Sequence, residues 1–413
     1  MKGLNMTTTE DASGFSSLEW EEWDAFLNGF GESCIHLTSP AVRAALRSPQ
    51  RAVRAARWLD GNGGIQGIAI CEDSEAQSQG VDDFLEGNAW FSWAKSWLHR
   101  RGGFRFGVRV VGSPLASGPY GYRFAEGVDE WSSLTELLGL PGIPLPGDSQ
   151  SSMPKTWVVK DRPCTSNWGD GTRYAGRSGW HKGWVDLEFD PVMHVSLTGR
   201  SSWEAYMSGM RTKARTKVKR ILTLSQQVEF VSMDVADIQR EKDTLHRLYM
   251  NVFDRAAFRL GCLQPEDLVL LKEEMGEAFQ VWVAKLEGET IGFQCGMNDR
   301  RSVEAFFVGF ENGANKTYAL YQRMLVEFIR WGLETGCDKV SLGRTALDMK
   351  ASLGAEPQRL VLHERIQNPV MHGLARWAAR ASAPRQGLLK RAWKEDAMGQ
   401  EPASVHHEVV AAS

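Results

Sequence analysis

Between Phe279 and Pro357 the hydrophobic period changes from that of a strand to that of a helix and back, and this stretch restricts the fold more than any other. Phe279 to Leu286 is rich in β-branched and aromatic residues and reads as a strand. Glu287, Gly288 and Glu289 form a turn, and Ile291 to Met297 is the returning strand. A second turn at Asn298 to Arg300 leads to a third strand, Val303 to Phe310. Turns this short join antiparallel neighbours, so the three strands form a meander. After Glu311 to Asn315 a helix is expected from about Lys316 to Thr335, with Tyr321, Met324, Leu325, Phe328 and Trp331 on its buried face and Gly336 as its stop. Lys339 to Leu342 then returns to strand. Strand, helix, strand is a right-handed crossover that needs a parallel pair. An α/β architecture follows: a mostly antiparallel sheet ending in one βαβ unit.

Upstream, Ser201 to about Gln227 reads as one long helix opened by a capping box at Ser201 to Glu204. Trp203, Met207, Met210, Ala214, Val218 and Ile221 form its apolar stripe, and Arg211, Lys213, Arg215, Lys217, Lys219 and Arg220 its other faces. Helices at Asp237 to Ala257 and Pro265 to Ala278 fill the interval to the meander. The first half echoes this order. Arg54 to Leu59, the turn Asp60 to Gly64 and Ile65 to Cys71 form a hairpin; a helix over Ala89 to Arg101 and a strand over Val108 to Val111 follow. Element order suggests an internal duplication, with chance similarity as the alternative. Pro141 to Gly183 is rich in Gly, Pro, Ser and Asp, with one strand at Lys155 to Lys160, and reads as a linker or flap. A helical stretch, Val370 to Lys394, is interrupted at Pro384, and disorder is expected beyond Gly399.

Bulk properties exclude several classes. A net charge of -3 argues against a nucleic-acid-coating protein, though a local basic patch stays compatible with it. The six cysteines are scattered singly, so neither a zinc site nor a disulfide framework is indicated. No basic leader precedes an apolar segment, and no apolar run reaches the roughly eighteen residues of a spanning helix. A cytoplasmic protein with reduced thiols is the expectation.

Three places are candidates for chemistry. Gly313, Ala314, Asn315 and Lys316 lead into a helix N-terminus, which suits a phosphate, although a short loop before a helix is usually only a loop. Arg344 falls just past the C-terminal end of a strand, where ligands of α/β sheets lie, and Lys350 follows on a helical turn; one ion pair on a solvated turn explains the same pattern. The basic face with Lys213 and Arg215 suits phosphates of a cofactor, RNA or lipid, or simply water.

Several stretches together resemble one family: Phe189 to Met193, Trp203 to Met207 with Lys213 to Lys217, Asn315 to Gln322, Gly343 to Lys350, and Leu353 to Pro357. Val185 to Gln358 is similar to the FemAB-like or CelD-like branch of the GNAT acyltransferase superfamily, and Val110 to Gly121 also resembles a segment of these proteins. The resemblance implies two tandem GNAT-like domains, each a mixed, mostly antiparallel sheet flanked by helices. The expected division is 1–140 (degenerate first copy), 141–184 (linker), 185–365 (acyltransferase domain), 366–398 (basic amphipathic helix) and 399–413 (tail). Typical members wrap the pyrophosphate of acetyl-CoA with an (Arg/Gln)-x-x-Gly-x-(Gly/Ala) loop. Asn312 to Tyr318 has a degenerate form of it, so acyl-CoA, acyl carrier protein and aminoacyl-tRNA all stay open as donors, and no tightly bound cofactor is expected.

The implied reaction is transfer of an acyl group from a thioester to an amine of a lipid or envelope precursor. Glu304 is the candidate base, and Tyr318 or Tyr321 the candidate acid at the leaving group. Arg344 and Lys350 are candidates for an acidic or phosphorylated group. Basic and apolar residues of the 366–398 segment suit peripheral contact with the inner membrane face as well as packing on the domain. The alternatives are an aminoacyl-tRNA-dependent transferase of cell-wall synthesis and a non-catalytic GNAT-like module for polysaccharide production.

Overall fold

The computed structural model describes residues 4–77, 105–144, 154–164, 183–255, 261–382 and 389–394. The helix expected at 89–101, most of the 141–184 segment and the tail from 399 lie outside these residues.

The strands are β1 (Asn5–Thr9), β2 (Ala52–Leu59), β3 (Ile65–Gln77), β4 (Arg105–Val111), β5 (Tyr122–Phe124), β6 (Thr156–Pro163), β7 (Val185–Glu188), β8 (Val192–Ser196), β9 (Glu229–Ser232), β10 (Phe279–Leu286), β11 (Glu289–Asn298), β12 (Ser302–Phe310), β13 (Lys339–Ser341), β14 (Glu356–Gln358) and β15 (Leu360–Ile366). The helices are α1 (Ser17–Asn28), α2 (Ser39–Arg47), α3 (Glu130–Leu138), α4 (Trp203–Gly209), α5 (Thr212–Leu224), α6 (Val235–Phe253), α7 (Pro265–Met275), α8 (Asn312–Tyr318), α9 (Leu320–Glu334), α10 (Leu347–Ser352) and α11 (Pro369–Ser382).

Two mixed sheets result, as expected. The first runs β1-β2-β3-β4-β6-β15-β7, with β5 beside β3; the second runs β14-β8-β13-β12-β11-β10-β9. Each is antiparallel except for one pair, β4 with β6 and β12 with β13. In each, a three-strand meander precedes the parallel neighbour. By this order β4 corresponds to β12, whereas element order in the sequence matched Val108 to Val111 with Val340 to Leu342. The duplication therefore rests on a different equivalence from the one expected.

Two strands from the second half belong to the first sheet. β7 lies at its edge, and the chain crosses at 189–191 into β8 of the second sheet. β14 of the second sheet leads through Arg359 into β15 of the first. The Arg359 guanidinium is buried and bonds Glu188 Oε1 at 2.5 Å, so the crossing carries a compensated charge. The first half reaches back in turn: Ile35, Ala41 and Ala44 share a core with Leu245, Leu268 and Phe293. Ser48 Oγ donates to the buried Asp267 carboxylate at 2.7 Å.

Three helix expectations are corrected. The helix from Ser201 is two, α4 and α5, capped by Ser202 rather than Ser201. Its apolar stripe is continuous, but Met210 and Arg211 are extended because the C-terminal segment pairs there: Arg211 N–H donates to Ala392 O at 2.7 Å and Lys394 N–H to Gly209 O at 3.1 Å. The helix expected from Lys316 starts at Asn312 and breaks at Ala319, which is left-handed with φ 50°. The C-terminal helix ends at Ser382, and 389–394 is non-helical, inserting Trp393 among the core residues Tyr206 and Met210.

Candidate functional site

β13 pairs with β12 only as far as Glu304. Beyond that point β12 runs on to Phe310 with its outer edge unpaired by any strand among the described residues, and the register with β11 shifts so that Phe306 is the extra residue of a bulge. A cavity of about 770 Å³ opens along this edge and reaches the first sheet. Its walls come from both halves: Pro114 to Ser117 after β4, Lys160 and Asp161 of β6, Phe189 and Asp190 at the sheet crossing, Ala305 to Val308 of β12, and Gly343 to Ala346.

Glu304 sits where the strands part. Its carboxylate is buried; Oε1 lies 3.0 Å from His36 Nε2, and Oε2 accepts no hydrogen bond among the described residues. His36 is held in a 3₁₀ turn, Ile35–Leu37, with its ring 5.0 Å from that of Tyr120 and 5.3 Å from that of Phe306. Burial, and then the nearby Glu304 carboxylate, push the Tyr120 hydroxyl well above its ordinary range, so it is a protonated donor at neutral pH.

Asp161 ties the halves together beside this group. It is buried, and its backbone is left-handed with φ 58°. Oδ2 accepts the Gly118 N–H at 2.9 Å, and Oδ1 accepts a hydrogen bond from the Arg344 guanidinium. Arg344 also donates to Asp190 O at 2.6 Å. Lys160 Nζ donates to Ser113 O at 3.0 Å and to Ala116 O, and burial pulls the ammonium below its ordinary range. Lys350 is buried to 2% exposure, with Nζ donating to the Gly343 and Arg344 carbonyls. Burial lowers it to about 7, opposed in part by the Asp190 charge.

Of the residues singled out in the sequence, Glu304, Asn315, Tyr321, Arg344 and Lys350 line the cavity. Burial raises Tyr321 to about 12. Asn315 Oδ1 accepts the Tyr321 N–H at 2.9 Å, which caps α9 across the Ala319 break. Gly313, Ala314 and Lys316 lie within α8 rather than in a loop, and Ala314 and Tyr318 pack against the Phe310 cluster outside the cavity lining. Lys213 and Arg215 are on the outward face of α5, whose inner face buries Ala214, Val218 and Ile221. His36, Tyr120, Lys160 and Asp161 were not singled out. Tyr120 had one signal, its place in the Val110 to Gly121 segment.

The described residues hold no cluster of His, Cys, Asp and Glu able to bind a metal, and no helix among them is long and apolar enough to cross a membrane. No curated protein sequence matches the chain. Solved structures of similar outline include FemX, at 9% identity and TM-score 0.49, covering 90% of this chain and 100% of that one. A tandem GNAT protein from the clavulanic acid biosynthesis pathway has 11% identity and TM-score 0.47, covering 89% and 99%. The C-terminal domain of a lysylphosphatidylglycerol synthetase from Agrobacterium fabrum has 12% identity and TM-score 0.45, covering 90% and 98%. Residues 208–351 match the family model of the acetyltransferase (GNAT) domain. That segment holds the meander, the parting strands and Glu304, and it is a GNAT acyltransferase domain.

Proposed function

We propose that the cavity transfers an acyl group from a thioester, an acyl-CoA in the first instance, to an amine of a lipid or envelope precursor. One observation carries the reading: a buried carboxylate with one oxygen open, at the point where β12 loses its neighbour. Direct attack needs an uncharged amine, a base for its proton and donors for the developing oxyanion. Glu304 Oε2 takes the proton as the N–C bond forms, and His36 holds the other oxygen in place. Glu311 N–H bonds Ile291 O at 2.9 Å, so by alternation the Val308 and Phe310 N–H groups point to the open edge of β12. The bulge at Phe306 re-aims the amides next to Glu304, and these are the oxyanion donors of the scheme. As the C–S bond breaks, the protonated Tyr321 hydroxyl supplies a hydrogen bond to the departing sulfur. Asn315 and Tyr321 mark the donor's way in. An apolar lining and the exposed Arg376, Trp377 and Arg380 of α11 favour an acceptor presented at a membrane face.

The test is a donor screen: purified protein with acyl-CoA, acyl carrier protein and aminoacyl-tRNA pools, an amine and lipid extract, and products read by mass spectrometry. Acylated amine from a thioester is the expected result, and none from any donor overturns the reading. A second reading has its own support. Lys213, Lys219 and Arg220 are exposed on α5, and burial, helped by the Lys390 charge of the docked tail, lowers Lys217 on the same helix. Such a patch suits an aminoacyl-tRNA, and activity with that donor alone, falling steeply with salt, decides for it.

A further inference from the structure

We infer that one arm of the cavity selects the donor by the length of its acyl chain, taking chains of about eight to twelve carbons over acetyl. This rests on the thioester reading above. The charged side chains of the cavity gather at one end. Lys160, Asp161, Asp190, Arg344, Lys350 and Glu304 gather where the two sheets meet. From Glu304 toward α6 the walls turn apolar: Leu115, Tyr249, Val252, Phe253, Phe306 and Phe307. No charged side chain among the described residues lines that arm.

The rings that face it are fixed. Phe306 and Phe307 are adjacent, with centroids 4.3 Å apart, because the bulge turns both off the strand's alternation. Phe307 meets Tyr249 edge-on at 5.3 Å, and the Tyr249 hydroxyl accepts the Leu263 N–H at 3.3 Å. The Tyr249 hydroxyl is thus engaged with backbone, and the arm is bounded by ring faces. Gly261 closes it against the 113–117 loop; a Cβ there would meet Pro114 Cβ at 2.8 Å and Leu115 Cδ2 at 3.1 Å.

Volume agrees with the lining. A methylene takes about the space of a water molecule, roughly 30 Å³, so eight to twelve carbons need roughly 240–360 Å³. That is less than half of the 770 Å³ cavity, leaving room for the thioester and its pantetheine arm. An acetyl group leaves the aromatic arm in water. Each methylene moved from water into it raises kcat/KM by about threefold to fourfold until the arm is full.

The experiment measures kcat/KM for CoA thioesters of two, four, eight, twelve and sixteen carbons on the full chain. In parallel, calorimetry follows binding of straight-chain carboxylates from acetate to laurate. The expected result is a rise of at least a hundredfold from two carbons to eight or twelve. Val252→Trp, and separately Leu115→Trp from the other half of the chain, fill the arm. Each should move the optimum to four carbons or fewer, the loss falling on the longer chains, while the thermal midpoint holds. A flat or acetyl-preferring profile, or both variants lowering every chain length equally, overturns the inference. The two readings fail separately. Chain-length-dependent binding that Val252→Trp abolishes, with no turnover from any thioester, sinks the transfer reading and keeps the arm. Turnover without chain-length dependence does the reverse.

Discussion

Trp393 is the place to test how the chain's end is held, because its removal has a magnitude that the structure supplies. The side chain is 7% exposed and packs edge-on against Tyr206 at 5.1 Å, beneath the Arg200 guanidinium at 4.0 Å. Its indole N–H donates to Gly354 O at 2.9 Å. Gly354 is left-handed at φ 95°, and a Cβ there would overlap the indole ring, so the ring fills the space the missing side chain leaves. Truncating a buried Trp to Ala costs about 3–5 kcal/mol, of which the hydrogen bond is roughly 1. Undocking releases only the short segment 389–394 and regains its chain entropy, so the lower end, about 3 kcal/mol, is expected. Urea unfolding of Trp393→Ala should show the midpoint falling with the slope unchanged. A chain ended before Leu389 should lose the same amount within about 1 kcal/mol, since the ring is the segment's main anchor. If Trp393→Ala is silent while the truncation destabilises, other contacts hold the tail. If both are silent, the tail is not docked and the explanation of the Met210–Arg211 helix break fails with it.

Lys350→Met should change the pH dependence of stability rather than its size at one pH. Burial holds the ammonium at about 7 in the folded chain against an ordinary 10.5, so between these values the unfolded chain binds more protons and stability rises with pH. The variant should lose a slope worth on the order of 4 kcal/mol across that window, and an unchanged slope in urea titrations at pH 7 and pH 10 refutes the assignment. Asp161→Asn keeps a residue tolerant of the left-handed backbone but removes the anion that Arg344 and Lys160 face. A loss of about 3 kcal/mol is expected from denaturant midpoints, and a loss below about 1 kcal/mol would mean the network is not fully buried. Gly354→Ala should cost at least about 2 kcal/mol through φ and through displacement of the indole, read by the same assay. A neutral result would contradict the placement of Trp393.

What was legible in the sequence was what repeats locally. The meander from Phe279 and the crossover to Lys339 show because strand and helix periods are written in consecutive residues, and turns such as Glu287 to Glu289 mark the joins. Glu304, Arg344 and Lys350 were found for the same reason: Glu304 lies on a strand of that pattern, Arg344 just past the next one, and Lys350 on the short helix that follows. The rest of the site comes from pairings that no local window contains. His36 meets Glu304 across 268 positions, and nothing around His36 distinguishes it from a core histidine. Asp161 continues a strand pattern, and its left-handed backbone is imposed by the contacts to Gly118 and Arg344. β7 and β15 are short strands of mixed polarity whose partners in the first sheet are set by tertiary packing. The helix break at Met210 is of the same kind, since the stripe from Met207 to Ala214 is helical by every local measure and the tail overrides it.

The most direct test of the account is single-turnover acyl transfer by Glu304→Gln against the unaltered protein, with the best thioester from the donor screen. Glutamine keeps the shape and a hydrogen bond to His36 but cannot take the amine's proton. The account predicts a fall of roughly 10²–10⁴ in the transfer rate, with donor affinity and thermal midpoint unchanged and part of the loss recovered as pH rises and more amine is uncharged. Transfer by Glu304→Gln within threefold of the unaltered protein across that pH range would contradict it.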